Sequence, residues 1–407
     1  MGAPADLEQC PFVPNYGPPK VTFVRGQGTE LWDRDGKRYL DLLSGIAVTS
    51  LGHSHPEIAG VIAEQAATLL HVSNLFGTVP QLEVAQRLDR LVRDGQPDSP
   101  PGQVMFQNSG AEANEGAIKM ARKYAGRGRH VVLSALRSFH GRTLATLAAT
   151  GQPEKHEPFQ PLPEGFRHAE WNDLDAFEAA LDPTVGAVLL EPLQGEGGVN
   201  DASVEFFSGI ERLCRERGLV LILDEIQTGL ARTGKWFGFQ HYGISPDIVT
   251  CAKALGNGMP IGAVWAKREV AAAFKPGDHG STFAGQPLAA SAAAATLRIM
   301  EEIDAPALAE ANGARLRQEL EALPGVVATR GRGMLMACEF SADVLGGRTG
   351  ADIAGACLEA GLVVIGAGPD AIRLAPPLNI SADHITEAVN ILAAVLDRSS
   401  ENKTGAS

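Results

Sequence analysis

The stretch Val104–Ala125, VMFQNSGAEANEGAIKMARKYA, runs from an apolar strand through a Ser-Gly turn into a helix whose apolar face includes Ile118, Ala121 and Tyr124. A strand feeding directly into a helix is the repeating unit of α/β sheets. Ser109, Gly110 and Ala111 fall at the helix start, where free backbone N–H groups and the helix dipole favour an anion. Ser109 reads equally as a plain N-cap. Four more short runs, Val131–Leu133, Val185–Leu190, Leu219–Leu223 and Ile248–Cys251, are bounded by turns or helical stretches. They suit buried strands of a mostly parallel sheet.

Working outward, the first twenty residues are rich in Pro and Gly and read as an arm lying over the surface or a partner. Val21–Val24, Thr29–Asp33 and Lys37–Leu42 alternate apolar and polar residues, and Asp35-Gly36 between the last two is a hairpin signal. From about residue 56 helices and strands alternate, with Leu82, Ala85, Leu88 and Leu91 at helical spacing, while Asp94–Gln103 reads as a loop. After about residue 305 a smaller α+β section carries helical periodicity at Leu308, Leu316 and Leu320 and a strand-like Ala371–Ala375. Ser381 is expected to cap a last helix that buries Ile385, Val389 and Leu392, and the chain turns polar from Asp397. The organisation expected is an arm and part of a small domain in 1–55 and a large domain in 56–304. The rest of the small domain follows in 305–396, and 397–407 is a flexible tail.

At 407 residues the chain exceeds what one hydrophobic core normally supports. A net charge of -13 argues against nucleic acid, whose phosphates need a basic stripe. An acidic protein that binds an anionic substrate must place arginines locally, so arginines near chemical motifs become informative. Cys10, Cys214, Cys251, Cys338 and Cys357 are scattered, with no CxxC pair and no His cluster, so neither a disulfide framework nor a metal site is expected. The opening MGAPADLEQC has no basic region followed by an apolar one, and the apolar runs are far too short to span a bilayer. A cytoplasmic protein without a membrane partner is the expectation.

Two further segments carry chemistry. LILDEIQTGLARTG (Leu221–Gly234) is a strand ending in Asp224 and Glu225, and ligands of α/β sheets sit beyond the carboxyl ends of strands. A capping or loop-stabilising aspartate explains it equally. In PDIVTCAKALGNGMPIGA (Pro246–Ala263), Lys253 follows a strand in a stretch almost free of other charge. An apolar setting would lower its pKa and free an amine nucleophile, although a solvated strand-end lysine fits the same pattern. Taken together, a phosphate cradle, a strand-end aspartate and a strand-end lysine are what pyridoxal phosphate requires: a helix terminus for its phosphate, a carboxylate for its ring nitrogen and an amine for its aldehyde. The G-x-G-x-x-G turn that a nicotinamide dinucleotide would want is not found at the first strand–helix junction.

These residues reach a family. VRGQGTELWDRDGKRYLD, GIAVTSLGHSHP, NSGAEANE, SFHGRT, EPLQGEGG, DEIQTG, PDIVTCAKALGNGMPIGA, HGSTFAGQP and RLAPPL occur in order over about residues 15 to 396. The chain closely resembles the class III aminotransferases of fold type I, and within them the acetylornithine/ornithine branch. The resemblance implies a large domain with a mostly parallel seven-stranded sheet flanked by helices, and a smaller α+β domain built from both termini. It implies pyridoxal 5'-phosphate as cofactor and a homodimer with shared active sites. Lys253 would be the Schiff-base lysine and proton shuttle, and Asp224 the partner of the pyridine nitrogen. Glu225, Ile226 and Gln227 follow as cofactor contacts, with Gln227 approaching the phenolic oxygen. Ser109, Gly110 and Ala111 would hold the phosphate, completed by Thr282 from the neighbouring subunit, and Phe139 would stack on the ring.

For the substrate, the resemblance implies that Arg142 takes an α-carboxylate, with Ser281 at a substrate-contact position. Arg373 would take the α-carboxylate of 2-oxoglutarate or glutamate. Glu196 would be a gate that neutralises Arg373 when a diamine is bound. Tyr16 is a weaker substrate contact, and Glu191 is expected to be structural. The implied reaction moves the terminal amine of N2-acetylornithine to 2-oxoglutarate, as in arginine biosynthesis. Relatives acting on ornithine, succinylornithine, acetyllysine or 4-aminobutyrate stand as alternatives, and a glutamate-semialdehyde aminomutase stands further off. Ile226, Asn257 and Gln286 depart from the Val, Gly and Asn that the family commonly shows.

Overall fold

The computed structural model describes residues 13–17, 19–96 and 99–404, with backbone alone for 398–404. Its centre is a seven-stranded sheet in the spatial order Gly102–Gln107, Gly262–Lys267, Ile248–Cys251, Val220–Asp224, Val185–Leu190, Val131–Ala135, Phe166–Ala169. All strands run parallel except Gly262–Lys267, which is antiparallel to both neighbours. Val185–Leu190 and Val220–Asp224 are buried at every position. Helices cover both faces of such a sheet, which is why these segments read as unbroken apolar runs rather than alternating ones. Phe166–Ala169 and Gly262–Lys267 escaped the sequence reading. The first is a short edge strand with Arg167 and His168 at its middle positions, and the second runs against its neighbours.

Two smaller sheets flank this one. Phe23–Gln27, Glu30–Asp33 and Arg38–Asp41 form an antiparallel meander, and Leu362–Val363 joins it in parallel beside Arg38–Asp41. The Asp35-Gly36 turn forms because the Asp33 carboxylate accepts from the Asp35 and Lys37 N–H groups while Gly36 takes φ +84°. The other sheet has the order Val326–Arg332, Leu335–Phe340, Ala371–Leu374, Ile365–Gly366. Ser381 Oγ accepts from His384 N–H at the start of the helix Ala382–Thr404, which buries Ile385, Val389 and Leu392. That helix continues through 397–404, where the polar composition reads as tail, and 405–407 lie outside the described residues.

Arg232 fastens these parts together. It is almost fully buried, and its guanidinium donates to the Met334 and Pro376 carbonyls and to Ser50 Oγ. Burial lowers its pKa to about 9. One side chain thus ties the segment after Val220–Asp224 to both the N-terminal and C-terminal portions. Of the cysteines, Cys214, Cys251, Cys338 and Cys357 are buried and free, while Cys10 lies outside the described residues.

Candidate active site

Sheet direction decides where the chemistry lies. Asn108 and Ser109 follow the strand Gly102–Gln107, Phe139 comes shortly after Val131–Ala135, and Glu191 follows Val185–Leu190. Asp224 ends its strand, and Lys253 stands just past Ile248–Cys251. Five parallel strands therefore deliver their last residues to one edge. Because Gly262–Lys267 is reversed, the residues before it, Pro260 and Ile261, reach the same edge. All of these line one cavity of about 440 Å³. Ligands of open α/β sheets collect at this edge.

Asp224 is 4% exposed. Its Oδ1 accepts from Ile226 N–H at 3.1 Å, and its Oδ2 lies 2.7 Å from Asn114 Nδ2 and 2.8 Å from His140 Nδ1. A carboxylate oxygen can only accept, so that contact puts the imidazole proton on Nδ1. Asn114 is itself fixed, donating also to the His140 carbonyl and accepting from Thr250 Oγ1 at 2.8 Å. Neither partner was legible beforehand, although a buried Asn between Ala113 and Ala117 on the inner face of a helix is a signal that something must satisfy it. Among the described residues Asp224 has no Lys or Arg ion partner. A buried carboxylate held this rigidly, and facing a cavity, is matched by a cationic ring nitrogen placed in that cavity.

Lys253 sits opposite that carboxylate in a conformation few side chains adopt, with φ +38° at the start of the turn Lys253–Gly256. Left-handed backbone at a residue other than Gly is sparsely populated and is retained where the surroundings enforce it. Burial lowers the lysine pKa to about 8, and the nearby Arg373 charge adds to the effect while Asp224, Glu191 and Glu196 oppose it. A substantial fraction of the amine is therefore neutral, and nucleophilic, near physiological pH.

The anion end is the helix Gly110–Ala125. Ser109 caps it, its Oγ accepting from Glu112 N–H, so its hydroxyl is engaged as the plain N-cap reading expected. The N–H groups of Gly110 and Ala111, both lining the cavity, are the first of the helix and have no acceptor within it. A Cβ at Gly110 would meet the Ile226 side chain at 2.8 Å, so a larger residue there would push that side chain aside. Ile226 and Gln227 line the same wall. A cradle of helix N–H groups, a ring-facing carboxylate and a free amine in one cavity together fit a phosphorylated aldehyde-bearing pyridine.

Charge gathers at the outer part of the cavity. Arg373, 6% exposed, reaches in from the strand Ala371–Leu374, and its Nη1 donates to the Gly195 carbonyl at 3.0 Å. Its Nε is buried without a partner, and burial lowers its pKa. Arg142 is exposed, with its guanidinium 5.4 Å from the centre of the Phe139 ring. Glu191 accepts from the N–H groups of Phe139 and Gly195, and burial pushes its pKa up to about 7. A Cβ at Gly195 would lie 1.6 Å from Gln227 Oε1, so a side chain there would have to displace the Gln227 amide. Glu196 also lines the cavity, but its carboxylate is paired with Lys155 Nζ at 2.6 Å rather than with Arg373.

Other expected residues lie elsewhere. Glu225 is not among the lining residues. Its oxygens accept from Thr228 Oγ1 and from the Gly238 and Phe239 N–H groups, because consecutive residues at a strand end point to opposite sides. Tyr16, 84% exposed, Ser281 and Thr282 do not line the cavity either. Ser281 Oγ accepts from Asn108 Nδ2 at 2.7 Å, and Thr282 is exposed. Ile46 and Val48, which the sequence reading passed over, do line it. Ile46 lies within, and Val48 just after, a left-handed turn in which Ser44, Ile46 and Ala47 all have positive φ, held by Asp41 Oδ1 accepting from the Leu43 and Ser44 N–H groups. Asn257 accounts for its own departure from the family pattern. At φ +44° its side chain accepts from Leu51 N–H and donates to the Gly52 carbonyl, pinning this segment to the lysine loop. Gln286 caps the helix Pro287–Glu302 by accepting from Leu288 N–H.

The class-III aminotransferase family model matches residues 12–396. The chain belongs to that family. It is 47% identical over 387 residues to the acetylornithine aminotransferase of Gloeobacter violaceus, covering 93% of this chain and 94% of that one. It is 45% identical over 381 residues to the acetylornithine aminotransferase of Bacillus subtilis, covering 93% and 95%. Among solved structures, the ornithine aminotransferase of Toxoplasma gondii superposes with a TM-score of 0.88 at 32% identity, over 96% of this chain and 93% of that one. A structure of the Toxoplasma gondii ornithine aminotransferase crystallized in the presence of oxidized glutathione has partial occupancy of PLP at its active site. This class-III aminotransferase thus carries its family's fold along nearly its whole length. Among the described residues, no helix is long and apolar enough to cross a membrane.

Proposed function

We propose that this aminotransferase uses pyridoxal 5'-phosphate to move the terminal amine of N2-acetylornithine to 2-oxoglutarate, giving N-acetylglutamate semialdehyde and glutamate. The observation that carries the reading is the pairing, across one cavity, of a lysine amine with pKa near 8 and a buried carboxylate, beneath two arginines. Similarity to acetylornithine aminotransferases at 42–47% identity supports the donor.

When bound, the cofactor supplies an aldehyde that takes up an amine and a ring that withdraws electrons from the adjacent carbon. Lys253 would hold the cofactor through its aldehyde, and its Nζ would be the group that takes up and returns the proton of the carbon bearing the donor amine. Asp224, fixed by Asn114 and His140, keeps the ring nitrogen protonated. The Gly110 and Ala111 N–H groups hold the phosphate, and Thr282 of the partner subunit completes that site in a homodimer. Phe139 and Ile226 would lie against the ring, and Gln227 near its phenolic oxygen.

Arg142 binds the donor's α-carboxylate, and Arg373 binds the α-carboxylate of 2-oxoglutarate. A planar guanidinium suits both, since its two parallel N–H groups match a carboxylate. Glu196 serves as the gate that decides whether Arg373 is free. By this reading, residues 1–55 supply an N-terminal arm and part of the small domain, 56–304 the cofactor domain and 305–396 the rest of the small domain, and the enzyme works in the cytoplasm. A donor panel tests it: acetylornithine, ornithine, acetyllysine and 4-aminobutyrate are each mixed with the coloured enzyme, and bleaching is followed. Acetylornithine should react fastest, and a clear preference for 4-aminobutyrate or free ornithine would overturn the choice of donor.

A further inference from the structure

One side chain outside the cavity bears on which substrate the cavity accepts. Glu196 lies within electrostatic reach of Lys155, Arg373 and Lys253, and the first two bear on the acceptor. Arg373 feels its charge, yet no ion pair joins them, while Lys155 holds the Glu196 carboxylate at 2.6 Å. Lys155 is not one of the cavity-lining residues, and its side chain is 22% exposed against 38% for that of Glu196.

The position of Lys155 is fixed by its surroundings. It sits on the short helix Pro153–His156, and Gln152 just before that helix donates to the Ser138 carbonyl at 2.9 Å. At the helix end, His156 Nε2 meets the Thr150 carbonyl at 2.6 Å, and its ring packs against that of His168. The Lys155 ammonium lies 5.5 Å from the centre of the Phe139 ring. The lysine is therefore anchored beside the cavity without lining it.

We infer that Lys155 is the resting partner of Glu196, a positioning residue that draws the carboxylate off Arg373 and so sets how readily the cavity accepts a second carboxylate. The inference rests on the gate reading given under Proposed function. An arginine with no carboxylate on it can bind the dicarboxylate acceptor. An arginine already neutralised cannot, and the acceptor's apparent affinity then falls in proportion to the fraction of free arginine. Lys155 and Arg373 compete for one carboxylate, so weakening the Lys155 side shifts Glu196 inward. A donor with an uncharged or cationic distal group is indifferent to that shift, or favoured by it. Selectivity between the two half-reactions is thus tuned from outside the cavity.

The test is steady-state kinetics of the holoenzyme for both substrates, in the wild type, K155M, K155Q, K155R, E196A and K155M/E196A. K155M and K155Q should raise KM for 2-oxoglutarate roughly two- to fivefold, the range a half-exposed ion pair supplies, while KM for acetylornithine stays level or falls. K155R should restore wild-type values. In the E196A background, K155M should add nothing further. The inference is overturned if both KM values rise together, if neither moves, or if K155M keeps its full effect without Glu196, which would mean that Lys155 meets the substrate directly. Failure of the reaction assignment is a separate result, seen in the wild type when acetylornithine gives no turnover.

Discussion

The inner and outer ends of the cavity are built on different principles. At the inner end, Asp224 is 4% exposed and its two oxygens meet three fixed donors, while Lys253 is locked at φ +38°. At the outer end, Arg142 is exposed, and Glu196 is held by one partly exposed lysine with the Arg373 charge also in reach. The inner end is preorganised, so its groups need no rearrangement at the moment of reaction. The outer end is exchangeable, which a site that serves two substrates of different charge requires.

The contrast predicts unequal responses to mutation. The largest should be at Lys253: Lys253→Ala should lower turnover by at least about a thousandfold and abolish the visible colour, while a two-state thermal melt stays cooperative. Substantial activity in that variant would erase the difference between the ends. Next comes Arg373→Lys, which replaces a planar fork by a point charge. KM for 2-oxoglutarate should rise by roughly ten- to a hundredfold, since charge-assisted hydrogen bonds contribute about 1.5–3 kcal/mol. KM for acetylornithine should move far less, and equal shifts would remove the assigned division of labour between Arg373 and Arg142.

Two smaller effects probe what supports the inner end. Burial raises the pKa of Glu225 to about 7 from 4.5, so the folded chain holds this proton more tightly than the unfolded chain does. Its contribution to stability is present below about pH 4.5 and is lost as the pH rises through about 7. Glu225→Gln should flatten the fall in melting temperature over that window, and an unchanged slope would show that Glu225 takes no part. Asn257→Gly deletes two hydrogen bonds of about 1 kcal/mol each but relieves a left-handed residue. The net loss should be about 1 kcal/mol, read as a shift of roughly one or two degrees in a thermal melt.

The two ends also differed in how readily they could be read from sequence. Lys253 and Asp224 stand beside apolar strands, so strand direction made them candidates, and their occurrence together with the helix cradle and the family motifs singled them out. The cradle at Gly110 and Ala111 follows from the strand–helix junction. What supports them was hidden, because Asn114 and His140 reach Asp224 from 110 and 84 residues away. Such long-range pairing leaves no periodicity to detect. Glu225 was taken along with its neighbour, and backbone alternation sent it to the other side. At the outer end Arg373 and Glu196 were singled out by motif, but Lys155 sits on a four-residue helix with no pattern to mark it. Thr282 is exposed in a single chain, so its proposed role belongs to an assembly that one sequence does not describe.

The most direct test of the account is to treat the coloured protein with sodium borohydride, digest it and locate the modified peptide by mass. The account predicts a stable pyridoxyl phosphate adduct on Lys253 and on no other lysine. An unmodified Lys253, or an adduct elsewhere in its place, would contradict it.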